Sequence, residues 1–310
     1  MKKEIIFENK SLYRDSFRVT GFRFGSGKKS ACIVGSIRGN EVQQLYACAK
    51  LVKTLKDLEK EGRIREGKEI LVVPSVNPYS MNVQKRFWPT DNTDINRMFP
   101  GYHLGETTQR IAAGVFEKIK DYEYGIQFAS FYMPGEFLPH VRMMKTGFES
   151  VELAKKFGLP YVVLRNVRPY DTTTLNYNWQ IWETKAFSIY TTTTEKIDEA
   201  SAGQAVRSIL NFLDKEKVIR YKSHDGYISS VVEDTRMKSV RVKSAGFFQC
   251  LTSVGEDVSK GQIIARVLDP YDASVREEVK APSDSIVFFV HDDPMTYANT
   301  AVFKLIPNKK

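Results

Sequence analysis

Hydrophobic and polar positions follow two patterns from residue 3 to about residue 217. Uninterrupted apolar runs, typical of buried strands, occur at residues 30–35, 69–74, 124–128, 161–164 and 186–190. Between them, apolar residues recur every three or four positions and predict helices over 41–62, 106–122, 151–157 and 197–217. Residues 3–24 alternate apolar and polar side chains and predict two or three edge strands. Strands that alternate with helices predict an α/β fold, with a mostly parallel central sheet flanked by helices.

The pattern changes after about residue 218, where turns rich in Gly, Pro and Ser separate short β-like runs. These runs lie at residues 226–232, 239–242, 261–267 and 285–290. They predict a small all-β, barrel-like domain. The sequence therefore predicts two domains, an α/β domain over residues 1–217 and a β domain over residues 218–310.

Two polar segments follow predicted buried strands. Residues 35–41, Gly-Ser-Ile-Arg-Gly-Asn-Glu, join the strand at 30–35 to the helix that begins at about Glu41. Ligands of open α/β sheets bind at the carboxyl ends of the strands, so this segment has the place of an active-site turn. Residues 77–102 form a long polar loop that also contains buried-type aromatic residues, which favours a packed, functional loop.

Composition narrows the class of protein. Lys and Arg number 46 against 37 Asp and Glu, a net charge of +9, which suits an anionic ligand. The basic residues form no long run, which argues against nucleic acid as a partner. The three cysteines have no CxxC spacing and are expected to be reduced. No apolar stretch is long enough for a membrane span or a signal peptide, so we expect a soluble, cytoplasmic protein whose oligomeric state the sequence leaves open.

The order of the polar motifs carries a family resemblance. Gly-Asn-Glu at 39–41 is followed by Asn77-Pro78, by Arg86 and by Asp-Ile-Asn-Arg-Met-Phe-Pro-Gly at 94–101. The β region then carries Val-Gly-Glu-Asp-Val at 254–258 and Val-Lys-Ala-Pro at 279–282. This order resembles the succinylglutamate desuccinylase/aspartoacylase family, a branch of the zinc carboxypeptidase-like hydrolases. The resemblance covers nearly the whole chain, and the segment 94–101 is its most specific part.

The resemblance implies a zinc site that this sequence does not reproduce. Family members carry Gly-x-His-Gly-Asn/Asp-Glu in the first turn, a second zinc-binding His on the third strand and a general-base Glu after a later strand. Here Glu41 is kept, but Arg38 takes the first His position and Gln127 the second. Tyr190 or Thr191 takes the position of the base.

These replacements change the expected chemistry. A catalytic zinc needs about three protein ligands and an open position. A guanidinium has no lone pair to give, and an amide oxygen is a poor substitute for an imidazole. Without zinc or a carboxylate base, water near pH 7 has no activator. We therefore expect no cofactor, with zinc bound only if an unrecognised ligand set exists.

The binding positions of the family are better kept, because Arg86, Asn96 and Arg97 match its substrate-carboxylate and oxyanion residues. Arg38 is expected to form a charge-assisted pair with Glu41, three residues on. We hypothesise that Arg38, Arg86 and Arg97 line one cationic pocket. The candidate catalytic residues are Arg86 and Glu41, and the candidate binding residues are Arg38, Asn96, Arg97, Gln127 and Tyr190.

Two functions stay open at this point. The first is a divergent family member, a pseudoenzyme, that binds a small carboxylate or N-acyl amino acid without the standard zinc site. The second is an active amide hydrolase, a deacylase, that uses a metal-free mechanism or a rebuilt metal set such as Glu41 and His140 with Glu136 or Asp94. Purely structural roles for Gln127 as a buried amide, and for Asn96 and Arg97 as a loop clamp, are the alternatives to ligand contact.

Overall fold

The computed structural model describes residues 1–12, 15–222 and 226–308. The chain divides into two compact units, one made of residues 1–130 and 139–231, the other of residues 131–138 and the chain from 232 onwards. The domain boundary predicted from the sequence lies at 217/218. Residues just after that point belong to the first unit because Val218 and Ile219 are fully buried in its core. The backbone N–H of Arg220 also donates to the carbonyl of Arg63 at 2.7 Å.

Among the described residues, β-strands outnumber α-helices. In chain order, the strands are β1 (Lys2–Asn9), β2 (Phe17–Gly25), β3 (Lys28–Ser36), β4 (Lys68–Ser75), β5 (Tyr124–Ala129), β6 (Glu136–Phe137), β7 (His140–Lys145), β8 (Tyr161–Asn166), β9 (Lys185–Tyr190), β10 (Ser230–Glu233), β11 (Lys238–Arg241), β12 (Gly246–Cys250), β13 (Asp257–Val258), β14 (Ile263–Leu268), β15 (Val275–Lys280), β16 (Ser285–Val290), β17 (Met295–Thr296) and β18 (Ala301–Pro307). The α-helices are α1 (Val42–Lys60), α2 (Pro78–Asn82), α3 (Thr107–Ile119), α4 (Val151–Lys155), α5 (Leu175–Ile181) and α6 (Glu199–Lys215).

The first unit is built on a sheet of order β1-β2-β4-β3-β5-β9-β7-β8-β10, and the division between the units falls within β10. Its centre, β4-β3-β5-β9, is parallel. β7 runs antiparallel to β9 and parallel to β8, and β1 and β2 add an antiparallel edge. The predicted α/β class is confirmed, with a sheet that is mixed outside its parallel centre.

Helices cover both faces of this sheet. Successive residues of a strand point to opposite faces, and in the central strands both sets are largely apolar, so both faces must be buried. Helices α1 and α6 pack on one face with Ile126 and Phe128 of β5. Helices α3 and α5 pack on the other, where the ring of Trp179 lies over Gly125. Gln127, between Ile126 and Phe128, therefore points to the same face as α5. None of the described helices combines the length and hydropathy that a membrane crossing requires.

The second unit is all-β, as predicted. One antiparallel sheet has the order β11-β18-β16-β13, with β6 paired to β16, and the other has the order β15-β14-β12-β17. Buried Val, Ile, Ala, Phe and Leu side chains from both sheets form its core. The end of the predicted run 226–232 lies in β10, at the edge of the large sheet, and the division between the two units falls within this strand.

Candidate functional site

The turn between β3 and α1 leaves β3 at the carboxyl edge of the parallel strands, and close packing fixes its backbone. Gly39 donates its N–H to the carbonyl of Arg86 at 3.0 Å. A Cβ atom at Gly39 would lie 2.2 Å from the carbonyl oxygen of Lys85 and 2.5 Å from the carbonyl carbon of Ser80. Only glycine fits this contact, and it brings the loop that carries Arg86 against the turn.

The carboxylate of Glu41 closes the turn on itself. Its Oε2 accepts the backbone N–H groups of Ile37 at 2.7 Å and of Arg38 at 3.0 Å. Its Oε1 accepts Nη1 of Arg38 at 3.2 Å and the hydroxyl of Ser130 at 2.5 Å. An ionised carboxylate has about four acceptor positions, so this buried group has a donor at each of them.

Arg38 links the turn to the long polar loop. Besides Glu41, its guanidinium contacts Asp94, with Nη2 at 2.8 Å and Nε at 3.1 Å from Oδ2. Only 8% of the Arg38 side chain is exposed. Burial by itself would lower the pKa of Arg38, but the two carboxylates outweigh burial and raise it, so Arg38 is held as a cation. The ion pair of Arg38 and Glu41 predicted from the sequence is therefore present.

Arg86 belongs to the same electrostatic environment. Its pKa is lowered by partial burial and by the nearby charge of Arg38, and is partly restored by Glu41 and Asp94. Its guanidinium lies 5.4 Å from the ring centroid of Phe87. The structure thus brings Arg38 and Glu41 into contact, and the charges of both residues act on Arg86. The single cationic pocket of Arg38, Arg86 and Arg97 stays a prediction.

Asn96 and Arg97 contact residues 170–175. The carboxylate of Asp94 accepts the backbone N–H of Asn96 at 3.0 Å, and the Asn96 side-chain oxygen accepts the N–H of Leu175 at 3.2 Å. Asn96 therefore binds the first residue of α5. Arg97 donates to the carbonyl of Tyr170 and lies 3.7 Å from the carboxylate of Asp171. These contacts are those of a loop clamp, and they direct the guanidinium of Arg97 toward residues 170–171.

Tyr190 is buried at the end of β9, where it contacts the buried His140 and the half-buried Arg142 of β7. The rings of His140 and Tyr190 are stacked, with centroids 4.6 Å apart and planes 2° apart. The guanidinium of Arg142 donates to the hydroxyl of Tyr190 and lies 4.3 Å from its ring centroid. Arg142 was not predicted as a site residue. The sequence His-Val-Arg-Met at residues 140–143 alternates polar and apolar residues, as a strand does, and this pattern would have placed Arg142 on the same face of the sheet as His140.

Two buried amides complete this face of the sheet. Gln127 is 3% exposed and pairs in register with Val34 on one side and Ser188 on the other. Asn176 of α5 is 2% exposed, and neither atom of its side-chain amide has a hydrogen-bond partner among the described residues. Buried amides without hydrogen-bond partners are rare. The sequence pattern did not predict Asn176 as a site residue, because a polar residue gives no hydrophobic signal of its burial.

Few side chains around Glu41 could act as ligands of a metal ion. Within residues 1–12, 15–222 and 226–308, no three His, Cys, Asp or Glu side chains are grouped so as to hold a metal ion. His140 packs its ring on Tyr190, and Glu41 already accepts four hydrogen bonds. Glu136 belongs to the other unit. The groups around Glu41 are a guanidinium, backbone N–H groups and a hydroxyl, and the Glu41 carboxylate accepts a hydrogen bond from each of them. They are hydrogen-bond donors to Glu41 and include no imidazole or second carboxylate that zinc prefers as a ligand.

Comparison with known proteins gives a consistent picture. Residues 27–215 match the protein-family description "Succinylglutamate desuccinylase/Aspartoacylase catalytic domain". An N-alpha-acetyl-L-2,4-diaminobutyric acid deacetylase of Halomonas elongata is 24% identical over 288 residues, which cover 87% of this chain and 79% of that protein.

Solved structures share the fold at low identity. A succinylglutamate desuccinylase of Silicibacter sp. TM1040 superposes with a TM-score of 0.80 at 16% identity, covering 97% of this chain and 93% of its own. The ectoine utilization protein EutE of Ruegeria pomeroyi, in its product-bound form, gives a TM-score of 0.78 at 19% identity, covering 95% and 92%. Identities this low show a common fold and nothing finer.

Proposed function

This chain belongs to the succinylglutamate desuccinylase/aspartoacylase family, and we propose that it binds a small carboxylate or N-acyl amino acid at the turn 37–41 without a zinc ion. The names of its relatives support the ligand class, since one is a deacetylase of an N-acetylated amino acid and another a desuccinylase. The cationic side chains Arg38 and Arg86 support the carboxylate. The absence of zinc is the part of the proposal that departs from what the family resemblance implies.

The main support for the proposal is that the Glu41 carboxylate already accepts a hydrogen bond at each of its four acceptor positions. A metal ion at this carboxylate would have to displace a hydrogen bond from Ile37, Arg38 or Ser130. The ion would also lie beside the fixed positive charge of Arg38, and like charges at contact distance in a buried site repel strongly. The residues present therefore do not fit a zinc ion.

The same residues fit an anion. Arg38 shares its charge with Glu41 and Asp94. Burial and the nearby charge of Arg38 lower the pKa of Arg86, and the carboxylates of Glu41 and Asp94 oppose this effect only in part. A bound carboxylate would relieve that repulsion and accept charge-assisted hydrogen bonds. Arg86 is only partly buried, so a ligand can reach it. We expect Arg86 to be the principal contact of the ligand carboxylate and Arg38 to hold the turn in shape.

A metal-free amide hydrolase is the second candidate, and one observation favours it. Arg142 donates to the hydroxyl of Tyr190, which is one of the two residues, with Thr191, that the family resemblance puts at the position of the general base. A phenol held by a guanidinium could donate or accept a proton at its oxygen. This candidate predicts measurable deacylation that a chelator does not affect and that Tyr190→Phe abolishes.

Metal content, hydrolysis and ligand-induced stabilisation test the proposal together. The purified protein is expected to hold far less than one zinc per chain, to hydrolyse none of a panel of N-acetyl and N-succinyl amino acids, and to melt at a higher temperature with some of them. A ligand present at 100 times its Kd stabilises by about 2.7 kcal/mol. One tightly bound zinc per chain, with a melting temperature that a chelator lowers, would refute the proposal.

Matched variants sharpen the test. Arg38→His combined with Gln127→His restores imidazoles at the two positions that the family resemblance assigns to zinc, and should raise the zinc content. Arg18→His, at an exposed ion pair with Glu8, is the control for an added histidine elsewhere. Arg86→Gln should remove the stabilisation by carboxylates while leaving the zinc content unchanged.

A further inference from the structure

Three arginine side chains converge on one tyrosine in the first unit. The guanidinium groups of Arg97, Arg165 and Arg168 lie 5.4, 5.8 and 6.0 Å from the ring centroid of Tyr170. Arg97 comes from the long polar loop, Arg165 from β8, and Arg168 from the segment between β8 and α5. Arg165 and Arg168 are close to Tyr170 in the sequence, whereas Arg97 is 73 residues away. Three cations around one aromatic ring form a concentrated positive charge.

The hydroxyl of Tyr170 is an acceptor for two of these cations. Nη2 of Arg165 donates to it at 3.2 Å, and Nη1 of Arg168 donates at 2.6 Å. A phenol has two acceptor positions and one O–H donor, so its remaining capacity is to donate. Half of Tyr170 is exposed, at 50%. The Tyr170 hydroxyl and the solvent-accessible parts of the Arg97 and Arg168 side chains are therefore hydrogen-bond donors that a ligand can reach.

One buried carboxylate lies beneath this cluster. Asp171 is 2% exposed, and its two oxygens lie 3.7 Å from Arg97 and 3.1 Å from Arg165. It also accepts the backbone N–H of Arg168 at 3.1 Å. A single carboxylate shared by two guanidiniums balances only one of their two charges. Nε of Arg165 is buried and has no hydrogen-bond partner among the described residues.

We propose that Arg97, Arg165, Arg168 and Tyr170 form a binding site for an oxyanion that carries more than one negative charge, such as a phosphate group. The groups that the cluster presents are donors, so its ligand must be an acceptor. The planar guanidinium matches phosphate and carboxylate oxygens in pairs. A multiply charged anion is favoured over a single carboxylate because the guanidiniums of Arg97 and Arg165 share the one negative charge of Asp171. This site does not rest on the function proposed for the turn 37–41.

The alternative is that the cluster only clamps residues 169–171 in place. A clamp and a binding site differ in their response to ligand. Phosphorus-31 NMR titration of the purified protein with inorganic phosphate, at constant ionic strength, measures the affinity directly. We expect saturable binding that sulfate and citrate displace and that acetate displaces only at much higher concentration.

Single substitutions locate the site. Arg168→Gln and Tyr170→Phe should each weaken phosphate binding by about tenfold, because each removes one charge-assisted hydrogen bond. Arg207→Gln, at an exposed arginine of α6, removes the same charge from elsewhere on the unit and should leave the affinity unchanged. Binding of phosphate that does not saturate, or that all three variants weaken equally, would show that phosphate is attracted only by the net positive charge. Either result would overturn the proposal.

A structural clamp has its own signature. If Arg168→Gln and Tyr170→Phe lower the melting temperature without ligand yet bind phosphate as the unchanged protein does, the cluster is a clamp and the proposal is wrong. If citrate binds and phosphate does not, the site selects carboxylates, and the phosphate part of the proposal is refuted. Binding of phosphate at this cluster together with no binding of N-acyl amino acids would refute the function proposed for the turn and leave this site standing.

Discussion

Arg38 and Asp94 are 56 positions apart in the sequence, and Nη2 of Arg38 lies 2.8 Å from Oδ2 of Asp94. This contact joins the turn after β3 to the loop after β4. Asp94 also accepts the backbone N–H of Asn96 at 3.0 Å, and the side-chain oxygen of Asn96 accepts the N–H of Leu175 at the start of α5. One guanidinium therefore connects three segments that meet at the carboxyl edge of the sheet.

Removal of that guanidinium should destabilise the protein. Arg38→Met keeps an unbranched stem but removes the guanidinium, and leaves Glu41, 1% exposed, without a counter-ion. Loss of one partner of a buried ion pair costs about 3–5 kcal/mol. Urea unfolding measures the loss. Arg18→Met, at an ion pair whose side chains are 53% and 34% exposed, should cost no more than about 1 kcal/mol, and an equally small loss for Arg38→Met would contradict the buried pair.

Gly39→Ala should also destabilise, for a steric reason. The new methyl group would meet the Lys85 carbonyl oxygen at 2.2 Å, and the backbone would have to move. Overpacking of this kind costs about 1–3 kcal/mol. At Gly203 in α6 the nearest atom to an added methyl group is the flexible Nη1 of Arg207, at 3.2 Å. Gly203→Ala should therefore stabilise by about 0.5–1 kcal/mol, and thermal melting of the two variants should show shifts of opposite sign.

Asn176→Leu and Asn178→Leu should differ although they lie on the same helix. Asn178 donates to the carbonyls of Thr172 at 3.0 Å and Thr174 at 2.9 Å, so its replacement breaks two hydrogen bonds and should cost about 1–3 kcal/mol. The amide of Asn176 has no partner within the described residues, so its replacement by an apolar group of similar size should be neutral or stabilising. Equal destabilisation of the two variants in urea would mean that Asn176 is hydrogen-bonded in solution.

Alkaline pH should weaken the fold through Tyr122. Its pKa is raised by burial and by its hydrogen bond to Glu69, at 2.6 Å. An unfolded chain loses the proton near pH 10, whereas the folded chain keeps it, so the unfolded state binds fewer protons above that pH. Stability is then fully present below about pH 10 and falls with rising pH, by about 1.4 kcal/mol per pH unit from this group.

The variant Tyr122→Phe isolates that contribution. Its free energy of unfolding should fall less steeply above about pH 10 than that of the unchanged protein. Tyr227→Phe, at a tyrosine that is 61% exposed, provides the matched control and should keep the full slope. Equal slopes for both variants would show that Tyr122 ionises in the folded protein as readily as in the unfolded one.

Most of the fold could be predicted because its elements carry local patterns. The apolar run at 30–35 and the periodic segment from 41 correspond to β3 and α1, with ends that differ by a few residues. Helix α5 could not be found this way, since Asn176, Asn178 and Gln180 are buried on it and no apolar stripe marks it. The long loop likewise contains α2, which is too short to show a period.

The candidate site was predictable only where its contacts are local. Arg38 and Glu41 are three residues apart, and their pairing could be expected from that spacing alone. The remaining partners of these two residues, Asp94 and Ser130, come from 56 and 89 positions away. The order of strands in the sheet brings such residues together, and a single sequence does not give that order. The same holds for Arg97, whose carbonyl partner lies 73 residues further on.

Residues 131–138 belong to the second unit but interrupt the first, so the chain passes between the units three times. Strand β6, within that excursion, pairs with β16, about half the chain away. No single proteolytic cut can therefore release either unit whole. A fragment that ends at residue 231 keeps β6 without its neighbour. A fragment that starts at residue 232 keeps β13 beside β16 but lacks the strand that pairs with Phe289 and Val290. Anyone who wishes to study the smaller unit alone must splice residues 131–138 back onto it.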